Sequence, residues 1–143
     1  MVSRLNKTRN DDSIKRKSAN REAFSEDRYK EICFNFKYLD KNQGQTYENW
    51  EEEKLLALML NRFTHLSSQN IMEAQKGILK IYGEQFPDKS AFDYPDYIPQ
   101  NVKWGSIRIQ GEERVIGFIK DNIFYVVFLD KNHKFWPSTK KNT

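Results

Sequence analysis

Cysteine is almost absent. Cys33 stands alone in 143 residues, so no disulfide can close within the chain. Histidine is nearly as scarce. His65 and His133, together with one thiol, cannot supply a structural zinc site of the usual kind. No apolar run approaches the roughly 18 residues that a membrane span needs. Residues 1–30 offer no apolar stretch of the kind a signal peptide carries. With the lone thiol, that sets the expectation of a cytoplasmic protein with no membrane partner. A Gly-rich phosphate loop ending in Lys-Ser/Thr is missing, and so is a dinucleotide fingerprint. No Ser/His/Asp arrangement can be picked out, and no cofactor or metal is expected.

What the chain does have is aromatic bulk and an uneven charge. Aromatics make up 14% of residues within a hydrophobic total of only 38%, so a few large rings must fill much of the core. The net charge is +4. Residues 1–30 hold nine Lys/Arg against five Asp/Glu, residues 31–102 hold seven against eleven, and residues 103–143 hold eight against four. Basic ends on an acidic middle suit a polyanionic partner, and they also suit an ordinary mixed surface.

The pattern predicts one α+β domain over residues 31–136, with a basic tail at 1–30 and a C-terminal tail at 137–143. In the first tail, Lys15-Arg16-Lys17 is a candidate contact for nucleic acid or a solvated run, and a short helix is expected from about Ser18 to Tyr29. Ile32 to Leu39 alternates by twos, with Ile32, Phe34, Phe36 and Tyr38 on one face, and reads as a strand. Thr46 then opens an amphipathic helix of about 20 residues. Trp50, Leu55, Met59, Phe63 and Leu66 recur along it at helical steps. Ser67-Ser68 is expected to cap a second, shorter helix reaching about Lys76, with Gly77 ending it. Residues 78–102 read as an insertion. A short strand at Ile78–Gly83 leads into a loop where Pro87, Pro95 and Pro99 punctuate Phe86, Phe92, Tyr94 and Tyr97.

A three-stranded antiparallel meander closes the domain. Its strands are Trp104 to Gln110, Arg114 to Lys120 and Ile123 to Asp130, joined by Gly111-Glu112-Glu113 and by Asp121-Asn122. Alternation puts Ile107, Ile109, Val115, Phe124, Val126 and Phe128 on the core face. Arg108, Arg114, Ile116, Phe118, Lys120, Tyr125, Val127 and Leu129 share the other. That second face is too apolar to be bare, so the aromatic loop, the tail or a partner must cover part of it.

The meander also concentrates the candidate chemistry. Arg108 and Arg114 project to one face from adjacent strands, and guanidinium pairs can clamp a phosphate and stabilise charge in a phosphoryl-transfer transition state. His133 is an acid–base candidate. Lys103, Lys120, Lys131 and Lys134 are candidate backbone contacts for a nucleic acid, while Tyr125 and Trp136 could stack on unpaired bases. The plainer alternative makes Arg108 and Arg114 surface ion-pair partners of Glu112 or Glu113, with His133 a polar turn residue.

The order strand, long helix, short helix, meander resembles the RelE/ParE superfamily of bacterial toxins over roughly residues 31–136. Arg108-Ile109-Gln110-Gly111-Glu112-Glu113-Arg114-Val115 is similar to its signature of an Arg-rich strand, a Gly turn and an Arg-Val strand. Phe124 to His133 resembles its last strand and the His or Tyr that can follow. The resemblance implies a metal-independent endoribonuclease acting on ribosome-associated mRNA, with an antitoxin protein as partner. Arg108 and Arg114 would then be transition-state ligands, His133 the acid or base, and Lys103 a backbone contact. The basic N-terminal tail, the insertion at 78–102 and the Trp136-Pro137 extension depart from the family's pattern. Two other classes stay open: a non-catalytic inhibitor module that docks on a host factor, and a plain nucleic-acid-binding domain.

Overall fold

The computed structural model describes Asp27 and residues 29–137. The Lys15-Arg16-Lys17 run, most of the segment expected to be helical from Ser18, and residues 138–143 lie outside the described residues.

The architecture is α+β, and the sheet is wider than the meander alone. Among the described residues, five strands form one mixed sheet in the order β1-β5-β4-β3-β2. They are β1 (Cys33–Asn35), β2 (Leu79–Gly83), β3 (Lys103–Gln110), β4 (Glu113–Lys120) and β5 (Ile123–Asp130). β1 pairs with β5 in parallel, and every other pairing is antiparallel. The chain therefore starts at one edge, crosses the sheet through its helices, and returns strand by strand from the other edge.

The expected strand at Ile32–Leu39 ends at Asn35. The alternation runs on past it for a different reason. Phe34 stacks on Phe63 at 4.2 Å on the helical side, whereas Tyr38 packs against Phe118 and Tyr125 on the opposite side. The chain changes sides, and each ring finds an apolar layer. Asp40 fixes the turn that follows, its buried carboxylate accepting the backbone N–H groups of Asn42 and Gln43.

The single long helix is in fact two, α1 (Tyr47–Glu52) and α2 (Leu56–Leu66). Thr46 caps α1 as its sequence suggests, in a reciprocal capping box with Asn49. Lys54 then takes a left-handed φ of 62° and turns the chain between the two helices. The break lets Trp50 and Leu55 bury alongside Met59, Phe63 and Leu66. The next helix, α3 (Ile71–Gln75), is capped by Asn70 with Glu73 and not by Ser67-Ser68. Those two hydroxyls bond back to Phe63 and His65 carbonyls at the end of α2.

The helices cover one face of the sheet, burying Ile107, Ile109, Val115, Phe124, Val126 and Leu129. The insertion and the segment after β5 cover the other. Phe86, Phe92, Tyr94, Ile98 and Phe135 pack there against Trp104, Ile116, Phe118 and Phe128. The chain itself thus buries the second apolar face. Tyr97 helps anchor this layer: its hydroxyl donates to the Tyr38 carbonyl at 2.9 Å, and burial and the Asp40 carboxylate push its pKa up to about 12.

One feature of β5 corrects the assignment of faces. The register runs Ile116↔Phe128 and then Gly117↔Val126, leaving Val127 as an extra residue. This β-bulge reverses the alternation beyond it, so Phe128 joins the loop side and Leu129 the helical side. Gly117 is required at the bulge because a Cβ there would lie 2.0 Å from the Tyr125 carbonyl oxygen. The β3–β4 loop is Gly111-Glu112, with Glu113 already in β4. Gly111 takes a positive φ of 41°.

Candidate phosphate-binding site

Arg108 and Arg114 are direct cross-strand partners at the hairpin end of β3 and β4. Strand alternation places both on the loop side with Ser106 and Ile116, so their guanidinium groups share one face. Local hydrogen bonds hold this end of the sheet. Arg62 of α2 donates Nε–H to the Ile109 carbonyl at 2.9 Å, taking up an acceptor beside the irregular step between Arg108 and Gln110. The Arg114 Nη1 donates to the Gly111 carbonyl at 2.6 Å and to the Glu113 carbonyl at 3.1 Å, bracing the loop it follows. The alternative of surface ion pairs with Glu112 or Glu113 is not realised: among the described residues, neither arginine makes a salt bridge. Arg108 is exposed, and no side-chain hydrogen bond is made by its guanidinium among those residues.

His133 arrives at the same corner from the segment after β5. Asp130 folds that segment, its buried carboxylate accepting the N–H groups of Lys134 at 2.9 Å and Phe135 at 2.8 Å. Gln45 ties it to α1, since one Oε1 accepts from both the Lys131 N–H and the Trp50 indole. Phe135 is fully buried and pins the far end. Between these anchors His133 sits half-buried with a φ of 56°. Burial and the Arg114 guanidinium hold its pKa below the ordinary 6.5, with Asp130 and Glu112 pulling the other way and Lys80 adding to the depression. The imidazole is therefore neutral near pH 7 and can accept a proton.

The other candidates are scattered. Lys134 is exposed beside His133. Lys131 is paired with Glu53. Lys103 lies at the opposite end of β3, about 16 Å from Arg108 along the strand at roughly 3.3 Å per residue. It pairs there with Ile119, on the helical side. Lys120 is at that far end too, and Tyr125 is half-buried in a stack, 4.8 Å from Phe118 and below Lys37. Trp136 lies flat on Tyr82 at 4.3 Å, so one of its faces is already used. The structure thus brings Arg108, Arg114 and His133 to one corner and separates Lys103, Lys120 and Tyr125 from them.

Sequence reasoning missed Lys80 and Glu112 as neighbours of His133. The alternation in Leu79-Lys80-Ile81-Tyr82 was the available signal, and what it lacked was the pairing of β2 with β3. Among the described residues, no group of three or more His, Cys, Asp or Glu is placed to hold a metal ion. A shallow apolar depression between Ile32, Leu66, Ile71 and Leu79 has no room for a water-sized guest. No protein-family model, curated protein or solved structure matches this chain.

Proposed function

We propose that the protein is an RNA-directed, toxin-like module that binds a phosphodiester between Arg108 and Arg114 and cleaves it without a metal ion. The observation that carries this reading is the cross-strand arginine pair, free of ion pairs and facing the same way, with an uncharged His133 beside it. The reading also draws on the RelE/ParE resemblance, whose strand, helices and Arg-bearing meander occur here in that order with β2 added ahead of the meander.

The corresponding chemistry is a transesterification. The ribose 2′-OH gives its proton to a ring nitrogen of His133, an O2′–P bond forms, and the P–O5′ bond breaks. Arg108 and Arg114 hold the non-bridging oxygens as charge accumulates on them. The departing 5′ oxygen takes a proton from water, leaving a 2′,3′-cyclic phosphate and a 5′-hydroxyl. The substrate class is single-stranded RNA, with ribosome-bound mRNA as the family-derived case and an antitoxin as the accompanying protein partner.

A second reading keeps the site and drops the reaction. Arg114 already braces the β3–β4 loop through two carbonyls, which suits a fixed binding surface as well as a catalytic one. The chain would then be a non-catalytic nucleic-acid- or protein-binding module, such as a phage or defence-related inhibitor.

Incubation of end-labelled RNA with purified protein in EDTA separates the two. Arg108→Ala is the cleanest variant because no side-chain hydrogen bond or ion pair among the described residues is lost with it. His133→Asn suits the left-handed backbone there. Cleavage to cyclic-phosphate ends, reduced at least about 100-fold in both variants, is expected for a general base and a charge clamp. Wild-type binding without cleavage would establish the non-catalytic reading, and equal cleavage by all three proteins would remove the assigned site.

A further inference from the structure

The arginine pair does not stand alone on its face of the sheet. Lys80 on β2 is the direct partner of Ser106 on β3, and Arg108 lies two residues further along β3 on the same side. Arg114 faces Arg108 from β4. Three neighbouring strands thus each contribute one cation to a short diagonal row. At a strand spacing of about 4.8 Å, the row extends over roughly 10 Å.

Lys80 is exposed and makes no ion pair among the described residues. Its ammonium sits 5.1 Å from the centre of the Tyr82 ring, and Tyr82 is itself fixed by the Trp136 stack and by a 3.0 Å hydroxyl–hydroxyl bond to Ser106. The ammonium is therefore held over a rigid aromatic platform, which lowers the entropy lost when it engages an anion. The acidic groups nearby do not neutralise the row. Asp130 lies opposite Arg114 on β5 with its carboxylate turned onto the Lys134 and Phe135 N–H groups, and among the described residues no carboxylate forms an ion pair with Lys80, Arg108 or Arg114.

We infer that Lys80 is a third phosphate ligand, so that the corner accommodates consecutive phosphates of one RNA strand and not a single isolated phosphate. The inference rests on the RNA-directed reading above and deepens it. A stacked strand presents one charge per roughly 3.4 Å of its axis, so a row of about 10 Å spans more than one phosphate. The ammonium on β2 would hold the phosphate adjoining the one clamped by Arg108 and Arg114.

The test is the salt dependence of binding to a fluorescein-labelled 2′-O-methyl RNA oligonucleotide, which lacks the attacking hydroxyl and stays intact. For single strands each phosphate contact contributes about 0.7 to the slope of log affinity against log salt. Lys80→Met removes the charge while keeping an unbranched side chain and should make the slope shallower by about 0.7, as should Arg108→Met. Lys80→Arg should restore the wild-type slope. A wild-type slope in Lys80→Met alongside a shallower one in Arg108→Met would overturn the role of Lys80 and leave the RNA site standing. Wild-type slopes in both, or no RNA binding by the unaltered protein, would overturn the RNA reading and this inference with it.

Discussion

His133 shows how much of this site is decided by local packing around one residue. Its ring is partly withdrawn from water and set beside Arg114, so the native state resists protonating it. The unfolded chain takes up that proton around the ordinary imidazole value of 6.5. The native state thus loses ground as the pH falls below about 6.5, and its stability is unaffected by this group above that point. The melting temperature should therefore fall between pH 7 and 5, and His133→Asn should flatten that fall. Thermal melts of the two proteins across that range check it, with parallel curves as the contrary result. Arg108 and Arg114 could be put on one face from the sequence, about one pair apart across a three-residue loop, and the shorter Gly111-Glu112 loop makes them direct partners. His133 could be nominated but not placed, because what places it is Asp130 accepting two N–H groups four and five residues on and Gln45 reaching across from before α1. Neither contact leaves a periodic trace.

At the scale of elements, β3, β4 and β5 were legible because polar turn residues punctuate runs of period two. The bulge at Val127 was not. Ile123 to Leu129 is apolar on both faces, and no polar residue marks where the phase slips. Gly117 carries the consequence: a methyl group there would meet the Tyr125 carbonyl at 2.0 Å and the Phe124 ring at 2.7 Å. Gly117→Ala should cost on the order of 3 kcal/mol, at the upper end for overpacking, because backbone and not a flexible side chain must move. Urea denaturation measures this, and a cost below about 1 kcal/mol would mean that the β4–β5 register is not as described. The α1–α2 break was hidden for a related reason. The apolar steps continue across it, and a lysine supplies the left-handed turn where a glycine would have announced one.

Across the whole molecule, one sheet serves two unlike layers. Helices with regular apolar stripes cover one face, and irregular chain rich in rings covers the other. The high aromatic share required large rings in the core and the apolar second face required a cover, but neither signal paired one ring with another. Phe135 is the hub, within about ring-contact range of Phe86, Phe92, Trp104 and Phe128. Phe135→Ala should cost about 3–5 kcal/mol. It should also free residues 84–102 for proteolysis ahead of global unfolding, since the same ring holds that loop and the His133 segment. Protection of the loop equal to wild type would contradict this coupling. No helix among the described residues is long and apolar enough to cross a membrane.

The proposed site puts an RNA phosphate between Arg108 and Arg114, next to His133. A bound phosphate would offset the positive charge that now depresses the imidazole, and by linkage proton uptake and RNA binding must then favour each other. The two histidines make this directly measurable, because His65 lies at the end of α2, in the helical layer. In an NMR pH titration of the imidazole resonances, saturation with 2′-O-methyl RNA should raise the midpoint of His133 and leave that of His65 in place. An unchanged His133 midpoint at saturation, or an equal shift of both residues, would contradict the claim.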